Sequence, residues 1–260
     1  MFTILKRKVK KKISEKIIFQ TDIYSLNLDK RNSEIYGFSN QMSHKVYDLD
    51  FSSLCILFQT DKGPFVHSVM PSFLEKKMKR CIIQTHNYAK YYEKLFRNKR
   101  KKIKNLCEIG VMSGASTAAF YFYFPKTNLY ALDINFQRFN LKSSRIKKFK
   151  VDQSSPVSLQ NFKKKINGKK LDIIIDDGSH IDNHILLTFK QLIVTLNSNG
   201  YYIIEDLSYE NTPQTLRFLK LKKNLRQYKI SDIKIFESEE GSDLIKKDRT
   251  KMNYIAFLRK

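Results

Sequence analysis

The 260-residue chain carries 49 basic and 25 acidic residues, a formal net charge of +24, and is 42% hydrophobic. That supplies a core for one full α/β domain plus extra elements, and with only eight glycines and five prolines it excludes collagen-like or low-complexity architectures. Cys55, Cys81 and Cys107 are widely spaced and form no CxxC pair, which argues against a disulfide framework or a structural zinc site, and no apolar run reaches the roughly 20 residues that span a bilayer.

Residues 1–16 are strongly basic and could form an arm for an anionic membrane surface, although a solvated basic tail is the simpler reading. The stretch MFTILKRKVKKKISEKIIF lacks the continuous apolar segment and cleavage site of a signal peptide, so a reducing, cytoplasmic setting is expected. The charge favours anionic partners, but basic residues recur along the whole chain as in a general compositional bias, so nucleic acid is not the expected partner. Residues 1–58 are taken as a basic N-terminal region of undetermined fold, with strand-like segments at IYGF (35–38) and VYDLDF (46–51). Residues 59–104 read as a helical lead-in: TDKG (60–63) is a turn, and HNYAKYYEKLF (86–96) sets apolar residues on one helical face. His86, at its start, reads as structural rather than as a ligand-facing group.

From residue 105 the pattern becomes regular. NLCEIG (105–110), NLYALDI (128–134), KKFKVDQ (147–153), LDIIIDD (171–177), YYIIEDL (201–207), DIKIFES (232–238) and NYIAFLRK (253–260) read as seven strands. Helices are expected at 114–124, 155–166, 181–196 and 212–226, with Ser155 as a cap and Pro156 at the first helical position. This alternation predicts an α/β, Rossmann-like, mostly parallel seven-stranded sheet over 105–260, with helices on both faces and a C-terminal antiparallel strand.

The chemistry gathers where strands end. Ligands of open α/β sheets bind outside the carboxyl ends of the strands. Asp176 and Asp177 end one strand and Glu205 and Asp206 the next, which suggests a single metal site built from both. Gly110 and Gly114 follow the first strand, where glycine lets backbone approach a ligand at the start of a helix. The dinucleotide and phosphate-loop fingerprints are absent, but these glycines joined to Asp133, placed to accept from ribose hydroxyls, favour an adenosine-containing cofactor.

EIGxxxG, LDI, VDQS, IDDGSH and IEDL, preceded by TDKG and HxYxxxY, occur here in an order that resembles the class I S-adenosylmethionine-dependent methyltransferases. Within them the chain is similar to the metal-dependent macrolide-sugar O-methyltransferases and the cephalosporin hydroxylase-like group. The resemblance covers about residues 58–210, and about twenty residues separate TDKG from His86. It implies that Glu108, Gly110 and Gly114 line the methionine side of S-adenosylmethionine, that Asp133 holds the ribose, and that Asp152 and Gln153 lie near the adenine. It also implies that Asp177, Glu205 and Asp206 are magnesium ligands and that His180 is the general base. An all-carboxylate set suits Mg2+ or Mn2+ better than zinc, and a histidine near the metal suits proton removal.

The expected activity is O-methylation of a hydroxyl on a sugar or polyol-containing, small-molecule or glycan acceptor. RNA methylation and a non-catalytic anionic-surface binder on the same fold are the alternatives, and a homo-oligomer is left open. Asp176 is ranked below Asp177 as a ligand, and His184 is read as a surface or packing residue.

Overall fold

A computed structural model describes residue 28 and residues 46–72, 77–238 and 254–260 of the chain. The basic arm at 1–16 and the segment 35–38 lie outside the described residues.

The first described element corrects a sequence expectation. VYDLDF is not a strand: Val46–Asp48 is a 3-10 turn and helix α1 spans Phe51–Phe58. Asp50 caps that helix by accepting from the Ser53 amide at 2.7 Å, so this acid of the strand-like segment is an N-cap. TDKG follows directly. A two-stranded antiparallel hairpin, β1 (Phe65–Ser72) and β2 (Lys77–Gln84), then fills the interval before His86, within the stretch expected to be a helical lead-in. The hairpin's base is closed by backbone bonds: Asn87 N donates to Gly63 O at 3.0 Å and Ala89 N to Lys62 O at 2.8 Å. The added residues therefore loop out, and TDKG stays beside helix α2 (Ala89–Phe96).

The main sheet uses β3 (Asn105–Ile109), β4 (Asn128–Asp133), β5 (Ile146–Lys150), β6 (Leu171–Asp176), β7 (Leu196–Leu207), β8 (Asp232–Glu237) and β9 (Tyr254–Arg259). Its order is β5-β4-β3-β6-β7-β9-β8, with the first five strands parallel and β9 antiparallel to both neighbours. Helices α3 (Ala115–Tyr123), α4 (Pro156–Lys165), α5 (Asp182–Leu192), α6 (Pro213–Lys220) and α7 (Lys222–Arg226) complete the chain.

Strand alternation divides the core. Leu106, Ile173, Ile175 and Ile203 face α1, α2 and α3, while Cys107, Ile174, Tyr202 and Ile204 face α4 to α7. Cys55 and Cys107 are buried free thiols. Ser155 and Pro156 open α4 as expected.

Three boundaries differ from expectation. β5 stops at Lys150, so Asp152 lies past the strand. The helix expected to reach 196 ends at Leu192, because β-branched Ile193, Val194 and Thr195 fit a helix interior poorly and form a 3-10 turn into β7. The last long helix breaks at Leu221, whose backbone is extended. No described helix is long and apolar enough to cross a membrane.

Candidate active site

The carboxyl ends of β3, β4, β6 and β7 open onto one cavity of about 730 Å³. Its walls include Gly110, Asp133, Asp152, Gln153, Asp177, His180 and Asp206, together with Thr60 and Asp61 of the TDKG turn.

Alternation decides which acid faces which way. Asp176 continues the face of Ile174 and is buried, accepting from Gln153 Nε2 at 2.6 Å. Asp177 takes the opposite face, with Ile173 and Ile175, and meets Lys62 there. On β7 the same rule would send Glu205 and Asp206 to opposite faces. It is broken by a bulge: Ile204 pairs with Ala256 and Leu207 with Tyr254, so β7 holds one residue more than β9 across this interval. Asp206 sits at the bulge with φ of 56°, and both acids turn toward the site. His180 also adopts a left-handed backbone, at φ of 54°, in the turn after β6. Two non-glycine residues in that region at one site mark a geometry imposed by the surrounding structure.

Asp177, His180 and Asp206 each bring one ligand atom to within 4.8 Å of the others. His180 Nε2 lies 4.0 Å from Asp177 Oδ1 and 3.9 Å from Asp206 Oδ2. Burial lowers the His180 pKa against the pull of Asp206, which favours the neutral, proton-accepting imidazole. Glu205 is close by but engaged: Tyr92 donates to one of its oxygens and Lys62 to the other. The expected ligands Asp177 and Asp206 are thus brought together with His180, while Glu205 faces Lys62 and Tyr92.

On the glycine side, Asp133 accepts from Met112 N at 2.9 Å and Asn135 N at 3.1 Å, which ties β4 to the loop after β3. Glu108 is buried; Thr117 Oγ1 donates to its Oε2 at 2.7 Å, while its Oε1 is without a hydrogen bond. Burial raises the Glu108 carboxyl's pKa, and nearby Lys62 opposes the rise. Gly114 has φ of 90° and caps α3. Asp152 is bound locally by the Ser154 amide and hydroxyl, which lower its pKa. Gln153 lines the cavity but also braces the turn after β6, because its Oε1 accepts from Ser179 N at 2.9 Å.

Solved structures with a similar backbone include the MycE methyltransferase from the mycinamycin biosynthetic pathway, in complex with Mg, SAH and mycinamycin VI. It is 21% identical with a TM-score of 0.59, covering 90% of this chain and 62% of that one. A second crystal form of MycE, with Mg and SAH, gives a TM-score of 0.56 at 22% identity, covering 90% and 62%. The chain has the Rossmann-like fold of these class I methyltransferase structures.

Similar sequences over about half of this chain include two curated O-methyltransferases. One is an 8-demethyl-8-alpha-L-rhamnosyl tetracenomycin-C 2'-O-methyltransferase of Streptomyces olivaceus, 33% identical over 135 residues, which are 49% of this chain and 35% of that protein. Another is the mycinamicin VI 2''-O-methyltransferase of Micromonospora griseorubida, 30% identical over 129 residues, 47% of this chain and 32% of that protein. The chain spans about a third of the length of these curated relatives. No protein-family model matches it.

The donor chemistry of this site fits a hard divalent cation. Lys62 pairs with Asp177 and Glu205, while Asp206 beside them accepts from Tyr88, so three carboxyl groups gather around a single ammonium. Burial raises the Asp177 pKa, Glu205 and Asp206 add to the rise, and Lys62 opposes it.

Four residues of the site escaped the sequence reading. Lys62 belongs to TDKG, which reads as a turn and as a motif of the resemblance, with no role given to its lysine. Tyr88 donates to Asp206 Oδ1 at 2.8 Å, and Tyr92 binds Glu205, though their spacing reads as a core stripe. His86 Nε2 lies 3.8 Å from Asp206 Oδ1, so the histidine read as structural stands at the rim of the acid cluster. Each signal lay in the TDKG and HxYxxxY motifs, whose partners are more than 100 residues away in sequence. His184 contacts Ser179 Oγ through Nδ1 at 3.0 Å and also lines the cavity.

Proposed function

We propose that this chain catalyses S-adenosylmethionine-dependent, divalent-metal-dependent O-methylation of a hydroxyl on a sugar or polyol-containing small molecule. The observation that carries this reading is a single cavity lined by both the glycine loop with Asp133 and the Asp177, His180 and Asp206 cluster. A methyl donor held at the first and an acceptor held at the second would meet there. The sequence relatives, named for methylation of sugar hydroxyls on antibiotic scaffolds, support the acceptor class.

In this reading Gly110 and Gly114 let the backbone pass close to the methionine end, and Glu108 offers an acceptor to its ammonium. Asp133 accepts from the ribose hydroxyls, each of its oxygens having a lone pair beyond the loop amide it already binds. Asp152 and Gln153 border the adenine. The acids Asp177, Glu205 and Asp206 hold magnesium or manganese. That cation, when bound, supplies orientation of neighbouring acceptor oxygens and a lowered hydroxyl pKa. His180, kept neutral by burial, takes the proton from the acceptor hydroxyl. The sulfonium methyl is already activated, so alignment and proton removal are what the protein contributes.

The test is a titration and a variant. The protein should bind S-adenosylmethionine in calorimetry, and Asp177→Ala should abolish metal-dependent transfer to a rhamnosyl acceptor while leaving cofactor binding intact. Absence of cofactor binding would sink the reading.

A further inference from the structure

One charge at the centre of the site has no part in the reaction described above. Lys62 is 1% exposed, and its Nζ lies 2.5 Å from Asp177 Oδ2 and in direct contact with Glu205 Oε2. Its position is fixed by backbone rather than by side-chain flexibility. Thr60 N donates to Cys55 O at 3.0 Å, Ala89 N donates to Lys62 O at 2.8 Å, and a Cβ on Gly63 would stand 2.8 Å from the Cβ of Cys55. The turn is therefore clamped between α1 and α2, with its lysine directed at the ends of β6 and β7.

Two buried carboxylates on adjacent strands repel each other strongly in a low dielectric. The Lys62 ammonium stands between them, in contact with one oxygen of each.

We propose that Lys62 is the resident counter-ion of the acid cluster, a positioning residue that keeps Asp177 and Glu205 side by side before a metal arrives. Asp177 is shared: Oδ2 is held by Lys62, while Oδ1 points toward His180. The ammonium thus orients one oxygen outward to the cavity by engaging the other. This role deepens the metal-dependent reading and rests on it only for the identity of the incoming cation.

The test is the melting temperature of full-length wild type and Lys62→Met, a nearly isosteric neutral replacement, with EDTA and then with saturating Mn2+. Without metal, K62M should melt at least about 5 °C below wild type. Mn2+ should restore most of that loss, giving K62M a larger metal-induced shift than wild type. Equal melting temperatures and equal Mn2+ shifts would overturn the proposal, since a lysine that merely filled space would leave the metal dependence unchanged.

The double variant K62M/E205Q supplies a check if K62M does not fold. Removing one charge of each sign should recover stability relative to K62M, and a double variant as damaged as K62M would also overturn the role. If Mn2+ moves the melting temperature of no variant, the metal-dependent function fails. The EDTA arm and the double variant still decide the part played by Lys62.

Discussion

The carbonyl oxygen of Asp177 lies 1.9 Å from where a Cβ on Gly110 would stand, and Gly110 has φ of +83°. The loop after β3 and the end of β6 are therefore in backbone contact, and the cofactor loop and acid cluster share one wall. Gly110→Ala adds a methyl where no flexible side chain can yield, in a conformation that L residues rarely adopt. It should lower stability by at least about 2 kcal/mol and weaken S-adenosylmethionine binding. Urea unfolding and calorimetric titration check both, and an alanine variant with the wild-type midpoint would refute the contact.

Asp176 gives a pH-dependent prediction. Burial pushes its carboxyl up to about 7 from 3.8, although Gln153 and Tyr202 pull the other way. A raised carboxyl pKa means that the folded state binds more protons than the unfolded chain between those values. The contribution to stability is full below pH 3.8, declines as pH rises, and is lost above about 7. Asp176→Asn removes this titration, and its amide oxygen can still accept from Gln153 Nε2. Urea midpoints from pH 5 to pH 8 should fall in wild type relative to D176N by an amount on the order of 2 to 4 kcal/mol. Parallel profiles would show that Asp176 stays ionised.

Much of the sheet was legible because its signals are local. The apolar runs of β3, β4, β6 and β7, and Ser155 with Pro156 at the start of α4, each read from a few neighbouring residues. The exception at residues 46–51 is also local: Asp50 fits both an alternating strand and a cap, and the Ser53 amide makes it a cap. The site was only half legible. The acids at the ends of β6 and β7 stand out, but their common orientation depends on a bulge defined by pairing with β9, about fifty residues away. Lys62, Tyr88 and Tyr92 stand in the TDKG and HxYxxxY motifs, but their partners Asp177, Asp206 and Glu205 are set by the fold, more than 100 residues away.

Tyr92 tests that long-range assembly. Its hydroxyl donates to Glu205, and both side chains are buried. Tyr92→Phe keeps the ring packed against Phe51, Phe120 and Phe257 while removing the donor. A buried carboxylate that loses one donor should cost about 1 to 3 kcal/mol in unfolding free energy. The loss should be smaller in an E205Q background, since a neutral amide needs the donor less. Equal losses in both backgrounds would assign the effect to packing.

His180 sets the sharpest expectation for turnover. Its imidazole stands 4.0 Å from Asp177 Oδ1 and 3.9 Å from Asp206 Oδ2, on a strained backbone at φ of 54° that fixes its aim. Burial lowers its pKa below the ordinary 6.5, with Lys62 and His86 adding to the fall and Asp206 opposing it. A base must be neutral to act, so the rate should hold as pH decreases through 6.5 and decline only below it. His180→Asn should cut kcat by about 10² to 10⁴ and abolish that acid limb, with S-adenosylmethionine affinity unchanged. Mn2+ binding separates base from ligand. Retention of wild-type metal affinity in H180N assigns the histidine to proton transfer, whereas a collapse of affinity together with kcat assigns it to the metal set with Asp177 and Asp206.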